Sequence, residues 1–199
     1  AHKGEFLSYI LSLKHKKIYC FEPQKNVFKI LYKKFKNNKK VKLFNIALAD
    51  KNSNITFYVN KLTSTSTFSK SKNTSFLKLK NFILNSKNSH IEKYSILTKK
   101  LDDISIFKKI SNIFLKIDVE GFELNVLKGG KKILSKNVKY VLVEKHFFQL
   151  YNNHSTDKVD LFLKKNNFKL IKKFTFPLLN FQDNLYVKKE KTSEIFRES

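Results

Sequence analysis

The chain contains no methionine and no tryptophan, and its 199 residues include only 4 glycines, 2 prolines and 1 cysteine. A lone cysteine, Cys20, excludes a disulfide within the chain and a cysteine-rich metal cluster. It fits a reducing compartment, so we predict a cytoplasmic location. No apolar run approaches the roughly 18 residues that a membrane-spanning helix needs. We therefore predict no membrane span.

Arginine is also scarce, since Arg197 is the only one, although lysine and arginine together number 41 against 16 acidic residues. The resulting net charge of +25, taken alone, favours a nucleic-acid partner. Such partners are held largely by arginine forks, however, and the lysines here are spread along the whole chain. The abundant residue types have AT-rich codons and the scarce ones GC-rich codons, so base composition explains most of the charge. We predict no specific nucleic-acid partner.

Apolar residues follow helical and strand spacing in alternation, which predicts one α/β domain over residues 1–199. A polar segment, about residues 61–94, interrupts the pattern, and both a binding loop and a plain solvated loop fit its composition. Two consecutive strands at the end predict a mostly parallel sheet with an antiparallel edge strand. The predicted helices cover 5–14, 26–37, 101–108, 122–133 and 157–166, and the predicted strands cover 17–22, 41–47, 55–60, 113–119, 138–145, 168–175 and 184–188.

The start of the chain looks like the back half of a glycine-rich turn that opens a helix, from Ala1 through Gly4 to Phe6. The next predicted strand ends in Glu22 and Pro23. A turn into a helix, then a strand ending in an acid, is how a Rossmann-type sheet holds a nucleoside cofactor. Gly4 would let backbone approach the ligand, and Glu22 would accept hydrogen bonds from the ribose hydroxyls; an ordinary turn and a surface acid are the alternatives. We expect the strand that should precede Ala1 to be missing.

The densest acidic group, Asp118, Glu120 and Glu123, follows an apolar predicted strand. Ligands bind at the carboxyl ends of strands in open α/β sheets, whereas Glu123 can simply complement the dipole of the next helix. Glu144 and His146 end the next predicted strand and are expected near Asp118. The three residues Asp118, Glu144 and His146 offer metal ligands, but their spacing is not diagnostic, so we predict no metal. His146 fits a base, a substrate contact or an ordinary histidine.

Five segments, in this order and spacing, resemble the FkbM family of S-adenosylmethionine-dependent methyltransferases. The segment Lys-Ile-Asp-Val-Glu-Gly-Phe-Glu is the most specific of them. The segments are 18–23 (IYCFEP), 45–48 (NIAL), 101–103 (LDD), 116–123 (KIDVEGFE) and 126–130 (VLKGG).

The resemblance implies a Rossmann-like class I methyltransferase that moves a methyl group from S-adenosylmethionine to a hydroxyl of a sugar or other small molecule. It implies that the acceptor partner is such a small molecule or a glycan. It also places Asp118 beside the methyl donor and acceptor, where it would orient the hydroxyl or take its proton. The implied cofactor-binding residues are Ala1, Gly4, Glu22, Pro23, Asn45, Ala47 and Asp118, and the candidate catalytic residues are Asp118, Glu120 and His146.

Two other functions remain open from the sequence. A nucleic-acid methyltransferase is favoured by charge alone, and no Asn-Pro-Pro-Tyr-like motif accompanies it. A non-catalytic fragment or binding module is favoured by the start of the chain, where the Asp-x-Gly that opens the family's cofactor loop is absent.

Overall fold

The computed structural model describes residues 4–13, 16–60, 90–146, 156–176 and 181–190. Helices and strands alternate through much of these ranges, and the strands form three sheets. The helices are α1 (Glu5–Leu11), α2 (Lys25–Phe35), α3 (Glu123–Gly129), α4 (Lys131–Lys136) and α5 (Thr156–Lys165), with two 3-10 helices at Leu101–Asp103 and Ser105–Lys109. The strands are β1 (Ile18–Phe21), β2 (Val41–Phe44), β3 (Ala47–Leu48), β4 (Asn54–Asn60), β5 (His90–Lys99), β6 (Ile113–Ile117), β7 (Val138–His146), β8 (Phe168–Phe176) and β9 (Phe181–Lys188).

The first half of the chain forms a small layer of two helices on two parallel strands. β1 and β2 pair in parallel from Ile18 opposite Val41 onward. α1 and α2 bury Leu7, Leu31 and Phe35 against these strands. Cys20 lies half-buried in this layer, and burial raises the pKa of its thiol, so the thiol form is favoured at neutral pH.

A three-stranded sheet in the order β3-β5-β4 follows, and it corrects two sequence predictions. The predicted strand 41–47 is wrong at its end, because β2 stops at Phe44 and Ala47 begins β3, which pairs in parallel with β5. The polar segment 61–94 is also too long, since its last residues belong to β5, the antiparallel partner of β4. Residues 61–89, with the hydroxyl-rich run 64–67, lie outside the described residues.

The second half forms a four-stranded sheet in the order β6-β7-β9-β8. β6 and β7 are parallel, and β9 runs antiparallel to both of its neighbours. The predicted antiparallel edge strand is therefore wrong: the antiparallel strand lies inside this sheet, and β8 is the edge. The physical cause is the composition of the hairpin, because β8 carries exposed lysines suited to an edge, whereas β9 contributes the buried Asn184 and Tyr186.

The helices after β6 are shorter than the apolar pattern predicts. The stripe 122–133 forms two helices, α3 and α4, because the chain turns at Gly130. The predicted helix 101–108 is two 3-10 helices instead. Asp102 connects this region to α4: its carboxylate accepts hydrogen bonds from the backbone N–H groups of Lys132 (3.0 Å) and Ile133 (2.9 Å) at the start of that helix. The Leu-Asp-Asp motif therefore acts as a helix cap.

The main hydrophobic core lies between the four-stranded sheet and the helices α3, α4 and α5. Tyr19 and Phe21 of β1 pack against this core, and the Tyr19 ring meets Phe107 edge-on at 5.1 Å between centroids. Among the helices in the described ranges, none is long and apolar enough to cross a membrane. The most deeply buried core residues are Ile117, Leu127, Leu134, Val141, Val143, Leu163 and Phe168.

Candidate cofactor and acceptor site

Gly4 begins α1 in a backbone conformation that glycine favours. Its φ of 86° and ψ of 22° lie in the left-handed region, and a Cβ at this position would stand 2.6 Å from Cε2 of Phe35. The need for glycine here is thus explained by the tight packing of α1 on α2. Its contact with a cofactor stays a prediction, and Ala1 lies outside the described residues.

Glu22 and Asn45 lie together at the carboxyl ends of β1 and β2. The Glu22 side chain is only 5% exposed, and its Oε1 accepts a hydrogen bond of 3.0 Å from the backbone N–H of Gln24. Asn45 Nδ2 donates to the carbonyl oxygens of Glu22 (2.8 Å) and Pro23 (3.3 Å). The predicted pair is therefore brought together at the edge where α/β sheets bind ligands.

Ala47 lies apart from this pair, because it begins β3 in the three-stranded sheet. Its side chain is buried with Phe57 and Ile96 in a small apolar cluster of the three-stranded sheet. Its methyl group thus has a packing role, and the predicted adenine contact remains a prediction.

Asp118 and Glu144 face each other at the carboxyl ends of the parallel strands β6 and β7. Lys116 Nζ donates to Asp118 Oδ2 at 2.6 Å. Carboxylate oxygens of Asp118, Glu120 and Glu144 lie within 4.8 Å of one another. The structure therefore assembles three of the carboxylates that the sequence singled out, together with one cation.

The protonation of this group follows from burial, from the charge of Lys116 and from the hydrogen bond between Asp118 and Glu144. Glu144 shares a hydrogen bond with Asp118. Burial and the nearby charge of Asp118 raise the pKa of Glu144 to about 10. Burial also raises the pKa of Asp118, but the ammonium of Lys116 and the hydrogen bond from Glu144 lower it more, so the net shift is downward. The Asp118 side chain is 43% exposed, which keeps it accessible to a ligand. At neutral pH Glu144 thus holds a proton and Asp118 is ionised.

The three carboxylates offer hard oxygen ligands that suit a divalent cation. The Lys116 ammonium already supplies Asp118 with a cationic partner. The predicted lack of a metal stays a prediction. His146 is the last residue of β7, and its side chain lies outside what the structure describes.

Glu120 and Glu123 shape the turn between β6 and α3. Glu120 has a φ of 53° and Gly121 a φ of 93°. The other described non-glycine residues with positive φ are both asparagines, which tolerate this conformation better than glutamate does. Glu123 is 2% exposed, and its Oε1 accepts a hydrogen bond of 3.0 Å from the backbone N–H of Gly121. Glu123 therefore holds the turn, and the strained Glu120 is kept beside Asp118.

The sequence analysis missed two features beside this group. Asp183 of β9 lies opposite Glu144 in the strand pairing of β7 and β9. Burial raises the pKa of Asp183; the charge of Asp118 adds to this shift and that of Lys116 opposes it. On the opposite face, Lys145 Nζ donates to Asp160 Oδ2 at 2.6 Å, and Tyr186 donates to the same carboxylate. Strand alternation could have pointed to Asp183, but the predicted last strand began at residue 184. The pattern includes Asp183 only when the strand begins at Phe181, as β9 does.

We expect Glu144→Gln to flatten the pH dependence of stability. A carboxyl whose folded pKa is raised keeps its proton while the unfolded chain loses it, so stability falls as pH rises from the unfolded pKa of 4.5 towards about 10. The amide cannot ionise, and its N–H still reaches Asp118. The variant should melt about 2–4 °C above the parent at pH 8 for each kcal/mol regained. The gain should vanish near pH 4.

Thermal unfolding between pH 4 and pH 9 measures this, with the exposed Glu190→Gln as the control. Parallel melting curves for Glu144→Gln and the parent across this range would contradict a protonated Glu144.

The structure is a mixed α/β fold with a group of carboxylates at the ends of parallel strands. The sequence profile of the methyltransferase FkbM domain matches residues 1–170, and the chain belongs to this family. No curated protein matches the chain.

The solved structures that match this chain include two, of which the first has the higher TM-score. One is the FkbM methyltransferase from Methylobacillus flagellatus KT, with a TM-score of 0.55 and 18% identity over 94% of this chain. The match covers 41% of that protein, so this chain spans less than half of its length. The other is a protein titled a putative rRNA-methylase from Clostridium thermocellum, with a TM-score of 0.46, 10% identity, and coverage of 96% of this chain and 83% of that one.

Proposed function

We propose that this chain is a Rossmann-like class I methyltransferase that uses S-adenosylmethionine to methylate a hydroxyl oxygen of a sugar or other small molecule. The observation that carries the proposal is the pairing of Asp118 with Glu144 at the ends of β6 and β7, within the part of the chain that matches the FkbM family. The carboxyl ends of parallel strands are where such sheets hold ligands.

The polar side chains at the strand ends fit S-adenosylmethionine. Glu22 sits at the end of β1 with a carboxylate suited to ribose hydroxyls, and Asn45 holds the backbone around it. The carboxylates of Asp118 and Glu120 favour a cation nearby. When bound, S-adenosylmethionine supplies a methyl group on a positively charged sulfur.

The residues of this chain then have separate tasks. Asp118 accepts a hydrogen bond from the acceptor hydroxyl and takes its proton as the new carbon–oxygen bond forms. Lys116 keeps Asp118 ionised, and Glu144 holds its own proton while donating a hydrogen bond to Asp118. Both contacts fix the carboxylate in place, and positioning of this kind supplies much of the rate in a displacement reaction. Roles for Glu120 and His146 remain predictions.

Calorimetry with S-adenosylhomocysteine tests the cofactor half of the proposal, and formation of that product from S-adenosylmethionine tests the transfer. Binding and turnover with hydroxyl compounds are expected. No binding would favour the non-catalytic module, and transfer to RNA or DNA in place of hydroxyl compounds would favour the nucleic-acid alternative.

Glu22→Gln should weaken S-adenosylhomocysteine binding by about 1–3 kcal/mol, the size of a hydrogen bond to a charged group. The amide keeps an oxygen that can accept from the backbone N–H of Gln24, so the fold is spared. Calorimetry on the parent and the variant measures the difference, with Glu190→Gln as an exposed control. Unchanged affinity in a variant that unfolds like the parent would remove Glu22 from the cofactor site.

A further inference from the structure

One row of side chains crosses the four-stranded sheet just beyond the last paired residue of β6. Ile117 pairs with Val143, so Asp118 comes level with Glu144, and their oxygens lie within 4.8 Å. Glu144 pairs with Asp183, and Asp183 pairs with Phe174 of β8. Directly paired residues point to the same face of a sheet. Asp118, Glu144, Asp183 and Phe174 therefore line one face in that order.

Phe174 gives this row an aromatic end. Its side chain is 38% exposed, and β8 is the outermost strand of the sheet. A large apolar side chain in such a place buries little area and so adds little stability. Lys172 Nζ stands 5.1 Å from the centre of the Phe174 ring. Neighbouring strands are about 4.8 Å apart, which places Phe174 about 10 Å from Glu144. A sugar ring that lies over Asp183 can therefore reach Phe174 at one end of the row and the carboxyl groups at the other.

The chemistry of the row selects among acceptors. Carboxylates accept hydrogen bonds from hydroxyl groups, and an aromatic face packs against the apolar carbon–hydrogen face of a sugar ring. Nucleic acids and other polyanions would meet Asp118 and Glu120 at close range, and like charges repel. A flat aryl acceptor such as catechol could stack on Phe174 and offer a second hydroxyl to Asp183, but it lacks the carbon–hydrogen face of a sugar ring, so it is the comparator for the sugar.

We propose that Asp183 and Phe174 form the acceptor-binding part of the site, and that the acceptor is a sugar ring without negative charge. Phe174 stacks on the ring, Asp183 accepts from one of its hydroxyls, and the hydroxyl to be methylated reaches Asp118. This inference rests on the proposed methyl transfer at Asp118 and adds the class of acceptor and the two residues that select it.

Saturation-transfer NMR with three probes tests the row directly: methyl α-D-glucopyranoside, methyl β-D-galactopyranoside and methyl α-L-fucopyranoside, with catechol as the aryl comparator. The same samples are titrated with S-adenosylhomocysteine. At least one glycoside should bind the parent, and Phe174→Ala should weaken it about tenfold, whereas Phe174→Tyr retains the stacking ring and the affinity. Asp183→Ala should weaken it about tenfold as well, by loss of the oxygen that accepts from the sugar hydroxyl.

Leu161→Ala removes a similarly exposed apolar side chain from α5 and should change neither affinity. Cofactor affinity should be the same in all variants. Glycoside binding that depends on Phe174 and Asp183, without S-adenosylhomocysteine binding, would sustain the acceptor row and sink the methyl-transfer proposal. Three results, each with cofactor binding intact, would overturn the acceptor row alone. They are no binding of any glycoside, glycoside binding that neither variant weakens, and binding of catechol but of no glycoside. Binding of neither ligand overturns both.

Discussion

Asp118→Asn should lower turnover about 10²–10⁴-fold, the range expected for loss of a positioned general base. Its affinity for S-adenosylhomocysteine should change little. The carboxylate is ionised, exposed and held by Lys116 at 2.6 Å, so it is oriented to accept a hydrogen bond from the acceptor hydroxyl. Asparagine has the same shape but cannot take that proton. An interaction that matters mainly in the transition state is lost from turnover more than from binding.

Glu120→Gln is the matched control, because it makes the same carboxyl-to-amide change two residues along the chain. Its left-handed backbone and its place in the turn suggest a smaller effect on turnover. Initial rates with a working acceptor, alongside calorimetry, separate the two variants. Full turnover in Asp118→Asn together with none in Glu120→Gln would reverse the two roles.

Much of the site could be predicted from the sequence because it lies directly after apolar strands. Asp118 follows β6, and Glu144 lies near the end of β7, so a parallel pairing of the two strands brings them together. The pairing of Lys116 with Asp118 follows from their spacing of two residues on one face of a strand. Strand periodicity therefore reports which side chains meet along one edge.

The rest depended on pairing between distant segments, which local patterns do not contain. The order of β8 and β9 is set by which strand buries its side chains against β7 and α5. The polar Asn184 gives no sign of burial in the sequence, although it is fully buried beside Tyr186. β3 is only two residues long and merged with β2 in the apolar pattern. Asp183 entered the site only through this pairing with Glu144.

Glycine motifs show the same division between local and distant causes. Two adjacent glycines, Gly129 and Gly130, end the segment 126–130 that resembles the FkbM family. In the structure Gly129 closes α3 against the segment after β3, where a Cβ would stand 1.9 Å from the carbonyl oxygen of Ala49. Gly130 instead faces the Leu101 side chain, where a Cβ would meet Cδ2 at 2.9 Å. The motif therefore serves packing between the two halves of the chain.

Gly129→Ala should destabilise the protein by about 1–3 kcal/mol or more, the range for overpacking a tight contact. In an open helix the same change would stabilise by about 1 kcal/mol, so even the sign reports the contact. The obstacle at Ala49 is backbone, which cannot rotate aside, and α3 would have to move away from β3. That movement would also loosen the turn that Glu123 holds and that keeps Glu120 beside Asp118.

Gly130→Ala is the matched comparison, because its closest contact is Cδ2 of Leu101, which can change rotamer, and Cβ of Leu101 at 3.3 Å needs only a small shift. We expect a much smaller loss there. Urea unfolding of both variants against the parent, read from the midpoint at constant slope, measures the difference. Equal midpoints for the two variants, or a gain in stability at Gly129, would mean that α3 does not press on Ala49, and the packing role assigned to the Gly-Gly motif would fail with it.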